Sequence, residues 1–447
     1  MESQNTPITS PPNSPDSSGT HNSHTSPGSS ATQNSHSASE SVDQYAHKSA
    51  MTEALASDKH YYLFLVTYLV LISALGSFVN DMYTPSLPAM CRFFGCQVPL
   101  AQMGLTMGMV GLATGQLILG PVSDRYGRKL VLFWSLLLFI IAAIVSVFSP
   151  TIHFFNTCRF FQGVGASGGY FLARTIPADI YSGRNLAKLM ALIGGINGIA
   201  PASAPVIGGV TADHFGWKGV FVLLTIFAIS ILLLSGHMKE SLPPSARVTG
   251  KWSKSLEGYL RLLSNRRFMT HVAFKGLALG MLFAYISATP FILQTNYGLS
   301  QTTYGLIIGF NALFVAAGSM VALKFHPLKK AASIGCIILM TGVAAEAIIL
   351  YSVSSLLLFE VSAIVILFGL GLIFSTTNTL AMNEGRKQAG EASSVLGISG
   401  YIVGAVVSPL VGLGNILHST ANVFIMLALL TAIFAYMSSR IAPDLQN

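Results

Sequence analysis

Charged residues are scarce in this chain of 447 residues, of which only 9% are Asp, Glu, Lys or Arg. An ordinary soluble domain carries roughly 25% charged residues, whereas here 52% of the residues are hydrophobic. This deficit excludes a soluble globular protein, because most side chains must face lipid or one another. The formal net charge of +8 does not indicate a nucleic-acid partner, since the basic residues lie between apolar segments and form no continuous face.

Cysteine is also rare, with four residues in the chain. Cys158 and Cys336 fall within apolar segments, and we expect them to pack as small apolar side chains. Cys91 and Cys96 share one short loop that we place outside the membrane, where a disulfide is one of two open possibilities. No spacing resembles a zinc or iron–sulfur site, and the sequence shows no cluster of nucleophile, metal ligands or paired carboxylates. We therefore predict neither a metal site nor an enzyme.

Long apolar segments are abundant instead. Twelve stretches of membrane-spanning length follow one another from about Tyr61 to Arg440, and a helix needs about 20 apolar residues to cross a bilayer. The predicted transmembrane helices cover 61–81, 100–121, 129–149, 153–175, 185–210, 217–236, 268–290, 301–322, 332–352, 356–380, 391–412 and 419–439. The fold class is therefore predicted to be that of an all-α, multi-pass membrane protein.

Composition also divides the chain into regions. Residues 1–58 are rich in Ser, Thr, Asn and Pro, and they hold too few large apolar side chains to fold, so we predict a disordered tail. The basic segment 237–267 is predicted to be a linker, because it separates six helices in 59–236 from six in 268–440. Residues 441–447 form a short C-terminal segment.

The basic residues predict the orientation in the membrane. If the N-terminal tail is cytoplasmic, the inner segments hold 21 of the 25 Lys and Arg residues, and the outer loops hold only Arg92 and Lys218. Cytoplasmic loops of membrane proteins carry an excess of Lys and Arg. We therefore predict that both termini and the linker lie on the cytoplasmic side of the cell (inner or plasma) membrane.

A charged motif lies between the second and third predicted helices. It reads Gly120-Pro-Val-Ser-Asp-Arg-Tyr-Gly-Arg-Lys129 and resembles the signature of the major facilitator superfamily at that place, Gly-x-x-x-Asp-Arg-x-Gly-Arg-Arg/Lys. The resemblance implies the major facilitator fold, with twelve transmembrane helices in two pseudo-symmetric six-helix bundles. It also implies an inner gate in which Asp124 and Arg128 pair near Asp179. The gate residues that it implies are Gly120, Asp124, Arg125, Gly127, Arg128, Lys129 and Asp179.

A second motif lies in the fourth predicted helix. It begins Arg159-Phe-Phe-Gln-Gly-Val-Gly-Ala and resembles the proton-associated motif of the same superfamily. Arginine within a membrane is costly and usually faces a partner or a water-filled cavity. Its expected partner is Asp81, which ends the first helix at a similar depth. Burial disfavours the carboxylate charge while the arginine favours it, so Asp81 and Arg159 are the predicted proton-coupling pair. The alternative is an exposed loop carboxylate, because Pro85 and Pro88 follow closely.

A third motif lies in the fifth predicted helix. It reads Ala200-Pro-Ala-Ser-Ala-Pro205-Val-Ile-Gly208-Gly209 and is similar to the antiporter motif of the superfamily, with alanine at two glycine positions. Proline kinks a helix, and small residues let a neighbouring helix pack closely. The resemblance implies an exporter with Pro201, Pro205, Gly208 and Gly209 as motif residues. Generic small-residue packing is the alternative.

The end of the first helix narrows the resemblance. Asn80-Asp-Met-Tyr-Thr-Pro-Ser-Leu-Pro88 resembles the Bcr/CflA group of multidrug-resistance transporters, whose first helix ends in Asp-Met-Tyr-x-Pro-x-Leu-Pro. Phe283–Gln294 and Gly390–Gly397 are also similar to that group, and the resemblance covers about 60–440. It implies drug:proton antiport, with antibiotic resistance as a consequence, driven by the proton gradient without a cofactor. The expected partners are small amphipathic organic substrates, protons and the lipid bilayer. We expect the chain to work as a monomer without nucleic acid.

The substrate cavity is expected between the two bundles near the membrane midplane. Family architecture assigns its lining to a subset of the helices, and ordinary packing is the alternative for each residue. The candidate lining residues are Met103, Met107, Tyr170, Asn197, Phe283, Tyr285, Asn311 and Asn378. Lys275, Glu346 and Glu360 lie near predicted helix ends, so we predict that they reach the membrane surface. Glu346 is also a secondary candidate for a proton carrier.

One alternative function stays open at this point. A proton-coupled permease for a specific metabolite, such as a nucleoside, a sugar or an amino-acid derivative, would have the same fold. Proton-driven drug efflux that is abolished by Asp81→Asn would favour drug export over that permease.

Overall fold

The computed structural model describes residues 59–181, 183–247, 259–352 and 355–441. The predicted tail 1–58, part of the predicted linker and residues 442–447 lie outside the described residues. Within the described ranges the secondary structure is helical, with no strand.

Six helices form the first half of the described chain and six form the second. Those of the first half are Lys59–Asp81 (α1), Leu87–Phe94 (α2), Val98–Tyr126 (α3), Arg128–Val147 (α4), Ile152–Ile180 (α5) and Gly183–Ser235 (α6). Those of the second half are Arg266–Phe291 (α7), Gln301–Ala322 (α8), Leu328–Ser352 (α9), Leu356–Glu384 (α10), Ala389–Leu410 (α11) and Ile416–Arg440 (α12).

The described helices make twelve membrane crossings, as the sequence predicts. Ten of them are long and apolar enough to cross a membrane by length and composition, with α6 counted once. However, α6 contains two crossings, because Gly216 breaks it with a φ of 67°, a left-handed conformation that glycine adopts without strain. The remaining crossing is α5, whose glycines, polar residues and Arg159 lower its hydropathy over a length of 29 residues.

Each half has its own hydrophobic core. Buried side chains from α1 to α6 form most of one cluster, which includes Leu69, Phe139 and Phe221 and also Phe291 of α7. Buried side chains from α7 to α12 form the main cluster of the second half, which includes Phe274 and Phe424. The exposed surface is also rich in large apolar side chains, as expected for helices that contact lipid.

The segment after α1 is folded rather than an open loop. Residues Thr84–Ser86 form a buried 3-10 turn, and α2 follows directly, so the expectation of a loop at Cys91 is wrong. The turn is buried because it packs against both halves of the molecule. Cys91 and Cys96 are free thiols whose sulfur atoms lie 3.9 Å apart. Burial, with Cys91 close by, raises the pKa of the Cys96 thiol to about 12.

Candidate functional site

Arg159 is the most deeply buried charged group in the first half of the described chain. It lies about two turns after the start of α5 at Ile152, with 0% of its surface exposed. Its Nη2 donates to the Val79 carbonyl at 2.7 Å and to Asn80 Oδ1 at 3.2 Å, and its Nη1 donates to Gln162 Oε1 at 2.6 Å. Its Cζ also lies 4.2 Å from the centre of the Tyr83 ring. The guanidinium therefore binds the last turn of α1 to α5.

Asp81 lies next to this cluster but does not pair with Arg159. Among the described residues, no ion pair involves Asp81, so the expected direct partnership is wrong. Successive side chains on a helix point about 100° apart, and it is Asn80 that points toward the guanidinium. The Asp81 carboxylate is partly exposed and still interacts electrostatically with Arg159. The site is thus a buried cation beside an unpaired carboxylate.

The two halves of the molecule meet around Asp81. In the turn after α1, Thr84 Oγ1 lies 3.4 Å from the Tyr304 hydroxyl of α8, and the Pro85 carbonyl accepts from Gln294 Nε2 at 2.8 Å. Asp81 also interacts electrostatically with Tyr304 and with Tyr401 of α11. Asp81 therefore lies at the boundary between the two halves.

The predicted antiporter motif provides much of this boundary. Gly209 of α6 lies against the Gln301 carbonyl of α8, and Gly305 of α8 lies against the Pro205 carbonyl. Even a methyl group at either glycine would collide with backbone, so the small residues are required for this contact. We call this contact the α6–α8 seam; its residues are Ala202, Pro205 and Gly209 of α6 and Gln301, Gly305 and Gly309 of α8.

Two other parts of the motif region support the seam. Gly208 lies against the Met82 carbonyl and so binds α6 to the end of α1. Asp213 accepts hydrogen bonds from the Thr302 backbone at 2.8 Å and from the Thr302 hydroxyl at 2.6 Å. Pro201 and Pro205 both lie inside α6.

The opposite end of the first half carries the charged motif between α3 and α4. Arg128 Nε donates to Asp179 Oδ2 at 2.9 Å, and its Nη1 pairs with Asp124 Oδ1 at 2.5 Å and with Ser123 Oγ at 2.5 Å. The Arg128 side chain is 6% exposed, whereas that of Asp124 is 45% exposed. The predicted pairing of Asp124 and Arg128 near Asp179 is present.

Glu240 also contacts this motif, and the sequence did not reveal this contact. Its carboxylate accepts from the backbone nitrogens of Arg128 at 2.9 Å and Lys129 at 3.2 Å, and it thereby caps the start of α4. A carboxylate is stabilised at a helix N-terminus by the unpaired N–H groups and the helix dipole. The sharp turn uses Gly127, whose φ is 101°.

The other glycine and the other basic residues of the motif have looser surroundings. Gly120 has open space where a side chain would lie, so it is not needed for close packing. Arg125 is exposed. Lys129 Nζ donates to the Gly236 carbonyl at 3.0 Å and binds the motif to the end of α6.

The candidate cavity residues separate into three groups. Met103, Met107, Tyr170 and Phe283 are partly exposed, and Asn378 is exposed, as a cavity lining requires. The side chain of Asn197 lies outside the described residues.

Tyr285 and Asn311 differ from the other candidates. They are 2% and 1% exposed, and Asn311 Nδ2 donates to the Tyr285 hydroxyl at 2.7 Å. Their polar groups form a hydrogen bond with each other inside the second half. The presence of these two polar side chains therefore does not indicate an open cavity.

Two carboxyl groups lie near that pair, the partly exposed Glu360 and the buried Glu346. Asn311 Nδ2 also donates to Glu360 Oε2 at 2.7 Å, and the Ser362 hydroxyl donates to Glu346, which is 0% exposed. The expectation that Glu346 and Glu360 reach the membrane surface is therefore wrong, because neighbouring helices supply hydrogen-bond donors inside the bundle. Lys275 Nζ donates to Oδ1 of Asn378, an exposed residue near the end of α10, at 2.8 Å.

Comparison with known proteins identifies the family. The model of the Major Facilitator Superfamily matches residues 69–409, which is more than half of the chain. The chain belongs to the Major Facilitator Superfamily. This membership agrees with the twelve crossings and with the charged motif between α3 and α4, and it makes the chain a membrane transporter rather than an enzyme.

Curated relatives of this superfamily member include multidrug-resistance proteins. The chain is 34% identical over 359 residues to an uncharacterized MFS-type transporter, YdgK, of Bacillus subtilis (strain 168), covering 79% of this chain and 89% of that protein. It is 30% identical over 330 residues to the multidrug resistance protein MdtL of Citrobacter koseri, covering 71% of this chain and 81% of MdtL.

Solved structures of other superfamily members share the fold. A bacterial homolog of the human lysosomal transporter Spinster, in an inward-facing and unoccupied conformation, matches with a TM-score of 0.73 at 15% identity, covering 86% of this chain and 98% of that chain. The xylose transporter XylE from E. coli, in a partially occluded inward-open conformation, matches with a TM-score of 0.67 at 14% identity, covering 87% and 99%. At these identities the likeness shows the fold alone.

Proposed function

We propose that this transporter is a drug:proton antiporter of the Bcr/CflA group, which exports small amphipathic compounds from the cell. The observation that carries the proposal is the Asp81 carboxylate, which lies between the two halves beside the buried Arg159 without an ion-pair partner among the described residues. A carboxylate in such a place can exchange a proton with little rearrangement of its neighbours. The name of the MdtL relatives supports the choice of drugs as substrates.

The direction of opening follows from where the halves touch. Several side-chain hydrogen bonds join the halves, and they include those of Gln102, Thr106, Asp213, Gln294 and Tyr304. All five residues lie on the Asp81 side of the molecule. The positive-inside rule places that side outside the cell, with both termini in the cytoplasm. The proposed state is therefore closed to the outside.

The proposed cycle uses an outer gate, an inner gate and one proton site, which is Asp81. On the outside, protonation of Asp81 neutralises its charge and changes its interaction with Arg159, Tyr304 and Tyr401 across the boundary. Substrate binding from the cytoplasm and proton release then favour opposite conformations, so the proton gradient gives transport its direction. The Arg128 ion pairs with Asp124 and Asp179 remain within the first half, and they hold the ends of α3, α4 and α5 together as that half moves.

The experiment is transport by the purified full chain in liposomes with an imposed pH difference. A panel of amphipathic drugs and of metabolites is offered to the wild type, to Asp81→Asn and to Glu384→Gln. Glu384 is an exposed carboxylate at the far end of α10 and serves as the control. We expect the wild type and Glu384→Gln to move drugs in response to the pH difference, and Asp81→Asn to lose that response.

Two results would contradict the proposal. Transport by the wild type that ignores the pH difference would exclude proton coupling. A panel in which one metabolite is moved and no drug is moved would favour the permease instead.

A further inference from the structure

Arg174 is a cation inside the membrane with no acidic partner among the described residues. It lies on α5 six residues before the helix ends at Ile180, which is about 9 Å at the rise of an α-helix. Although the sequence groups Arg174 with the cytoplasmic segments, its Nη2 donates to the Tyr170 hydroxyl at 2.9 Å and its Cζ lies 4.5 Å from the centre of the Tyr170 ring. The side chain therefore runs back along α5 toward the interior.

Lys275 is a second such cation, in the other half of the molecule. It lies nine residues after the start of α7 at Arg266, which is about 14 Å along the helix. Its hydrogen bond to the neutral Asn378 amide leaves its charge uncompensated. Arg174 and Lys275 are both partly exposed, so both can reach a molecule that enters between the halves.

The two cations lie on opposite halves of the molecule, Arg174 on α5 and Lys275 on α7. Arg174 and Lys275 are close enough to interact electrostatically, and Tyr401 of α11 interacts with both Tyr170 and Arg174. Of the ion pairs in the part of the chain that the structure describes, none includes either cation. Like charges repel strongly where water is scarce, and an ionisable residue inside a membrane is usually functional. Two cations without an acidic partner suit an anionic ligand.

The surroundings also indicate the shape of that anion. A guanidinium donates two parallel hydrogen bonds to a carboxylate or a similar planar anion. Aromatic rings lie next to the cations, since the Phe283 and Tyr401 ring centres are 5.8 Å apart and Tyr170 stacks on Arg174. These rings offer an apolar surface to the rest of the ligand.

We propose that Arg174 and Lys275 form the recognition site for an anionic group on the substrate, so that the preferred substrates are amphipathic anions with an apolar or aromatic body. The inference rests on the proposed function in one respect, which is that the substrate binds at this site when it is transported. Tyr401 is close enough to both Arg174 and Asp81 to interact with each of them electrostatically. The bound anion and the Asp81 carboxylate would repel each other, and this repulsion would link substrate binding to protonation.

The test is equilibrium binding by the purified full chain in nanodiscs of phosphatidylcholine at one fixed pH. The probes are a panel of aromatic carboxylates, such as naphthylacetate, each paired with its uncharged amide. We expect the wild type to bind the carboxylates more tightly than their amides. Arg174→Gln and Lys275→Gln should each weaken carboxylate binding about tenfold or more, since each removes a hydrogen bond to a charged group, while binding of the amides stays the same.

Matched controls are available at the other end of the molecule. Arg92 and Lys218 are exposed, and Arg92→Gln and Lys218→Gln should leave carboxylate binding unchanged. A wild type that binds no carboxylate more tightly than its amide would overturn the proposal, as would Arg174→Gln and Lys275→Gln variants that bind like the wild type.

A lipid headgroup is the other source of an anion at these two cations, and a second lipid composition distinguishes it from a substrate. In nanodiscs with phosphatidylglycerol, carboxylate binding that falls to the level of the variants would show that the cations hold a lipid headgroup, and this would also overturn the proposal. We expect carboxylate binding to be the same in both lipids.

The binding measurement is also independent of proton coupling. Because no pH gradient is used, a failure of proton coupling in the liposomes leaves the binding result intact. The Asp81→Asn variant should therefore keep its preference for the carboxylate over the amide.

Discussion

The two halves of this transporter both bury ionisable side chains, but they stabilise them by different means. In the first half, the Arg159 guanidinium receives oriented acceptors from Val79, Asn80 and Gln162. In the second half, Glu346 and Glu360 receive donors from Ser362 and Asn311, and no basic side chain of the described residues pairs with them. The first half thus places acceptors around a charged guanidinium, whereas the second half places donors beside two carboxyl groups.

The difference follows from what each group can do with a proton. An arginine stays charged in a protein, so its burial requires acceptors in fixed positions. A carboxyl group can accept a proton and become neutral, and an unpaired carboxylate ion inside the bundle would be very costly. Glu346, Glu360 and Asn311 each have one buried oxygen without a donor, and a proton on a carboxyl would provide one. We therefore expect the second cluster to be neutral.

The largest effect is expected for Arg159→Met. The Val79 carbonyl, the Asn80 amide and Gln162 would lose their donor, which should cost about 3–5 kcal/mol in total, because each buried acceptor left without a donor costs about 1–3 kcal/mol. The measurement is the thermal unfolding of the purified protein in detergent. Arg92→Met is the control, because Arg92 is exposed. Equal unfolding temperatures for both variants would show that the Arg159 contacts contribute little.

A smaller loss of stability is expected when a methyl group is added at a close contact between two helices. This loss should be similar in both halves. Gly163 of α5 lies against the Gly108 carbonyl of α3, and Gly371 of α10 lies against the Val315 carbonyl of α8. Gly163→Ala and Gly371→Ala should each destabilise the protein by about 1–3 kcal/mol, because the helices must move apart.

The same unfolding assay checks this prediction. Gly120→Ala should be neutral, since the space around Gly120 is open. A large loss in one half alone would show that the halves differ in packing as well as in charge.

The smallest effect is expected for Glu346→Gln. Glutamine keeps the shape of a protonated glutamate and can accept the hydrogen bond of Ser362, so stability should change by less than about 1 kcal/mol. Ser362→Ala should cost more, because it leaves Glu346 without a donor. If Glu346→Gln proves as damaging as Arg159→Met, the second cluster carries a charge and the contrast between the halves is wrong.

The sequence predicted the features that depend on a local pattern. The resemblance of 120–129 to the superfamily signature implied that Asp124 and Arg128 pair near Asp179. Gly209 could be assigned to a close helix contact because small residues in a membrane helix usually have that role. In both cases a short motif carries the information.

The sequence did not predict which side of a helix faces which neighbour. Asp81 and Arg159 have similar depth, yet a rotation of one residue brings Asn80 to the arginine instead. Arg174, Lys275 and Glu346 lie near helix ends. Nearness to an end does not show whether the side chain has a hydrogen-bond partner inside the bundle. These placements depend on helix packing in three dimensions, which a single sequence does not specify.

The α6–α8 seam has a consequence for the work of separating the two halves. Its surfaces are backbone against backbone, with the side chain of Asp213 as a clasp on Thr302. When the two helices separate at this seam, no large side chain has to leave a pocket and no ion pair has to break. The work of opening the outward face therefore falls on the side-chain hydrogen bonds around the seam, which include those of Gln102, Thr106, Gln294 and Tyr304. Two of them join the turn directly after Asp81, where a single hydrogen ion binds in the proposed cycle.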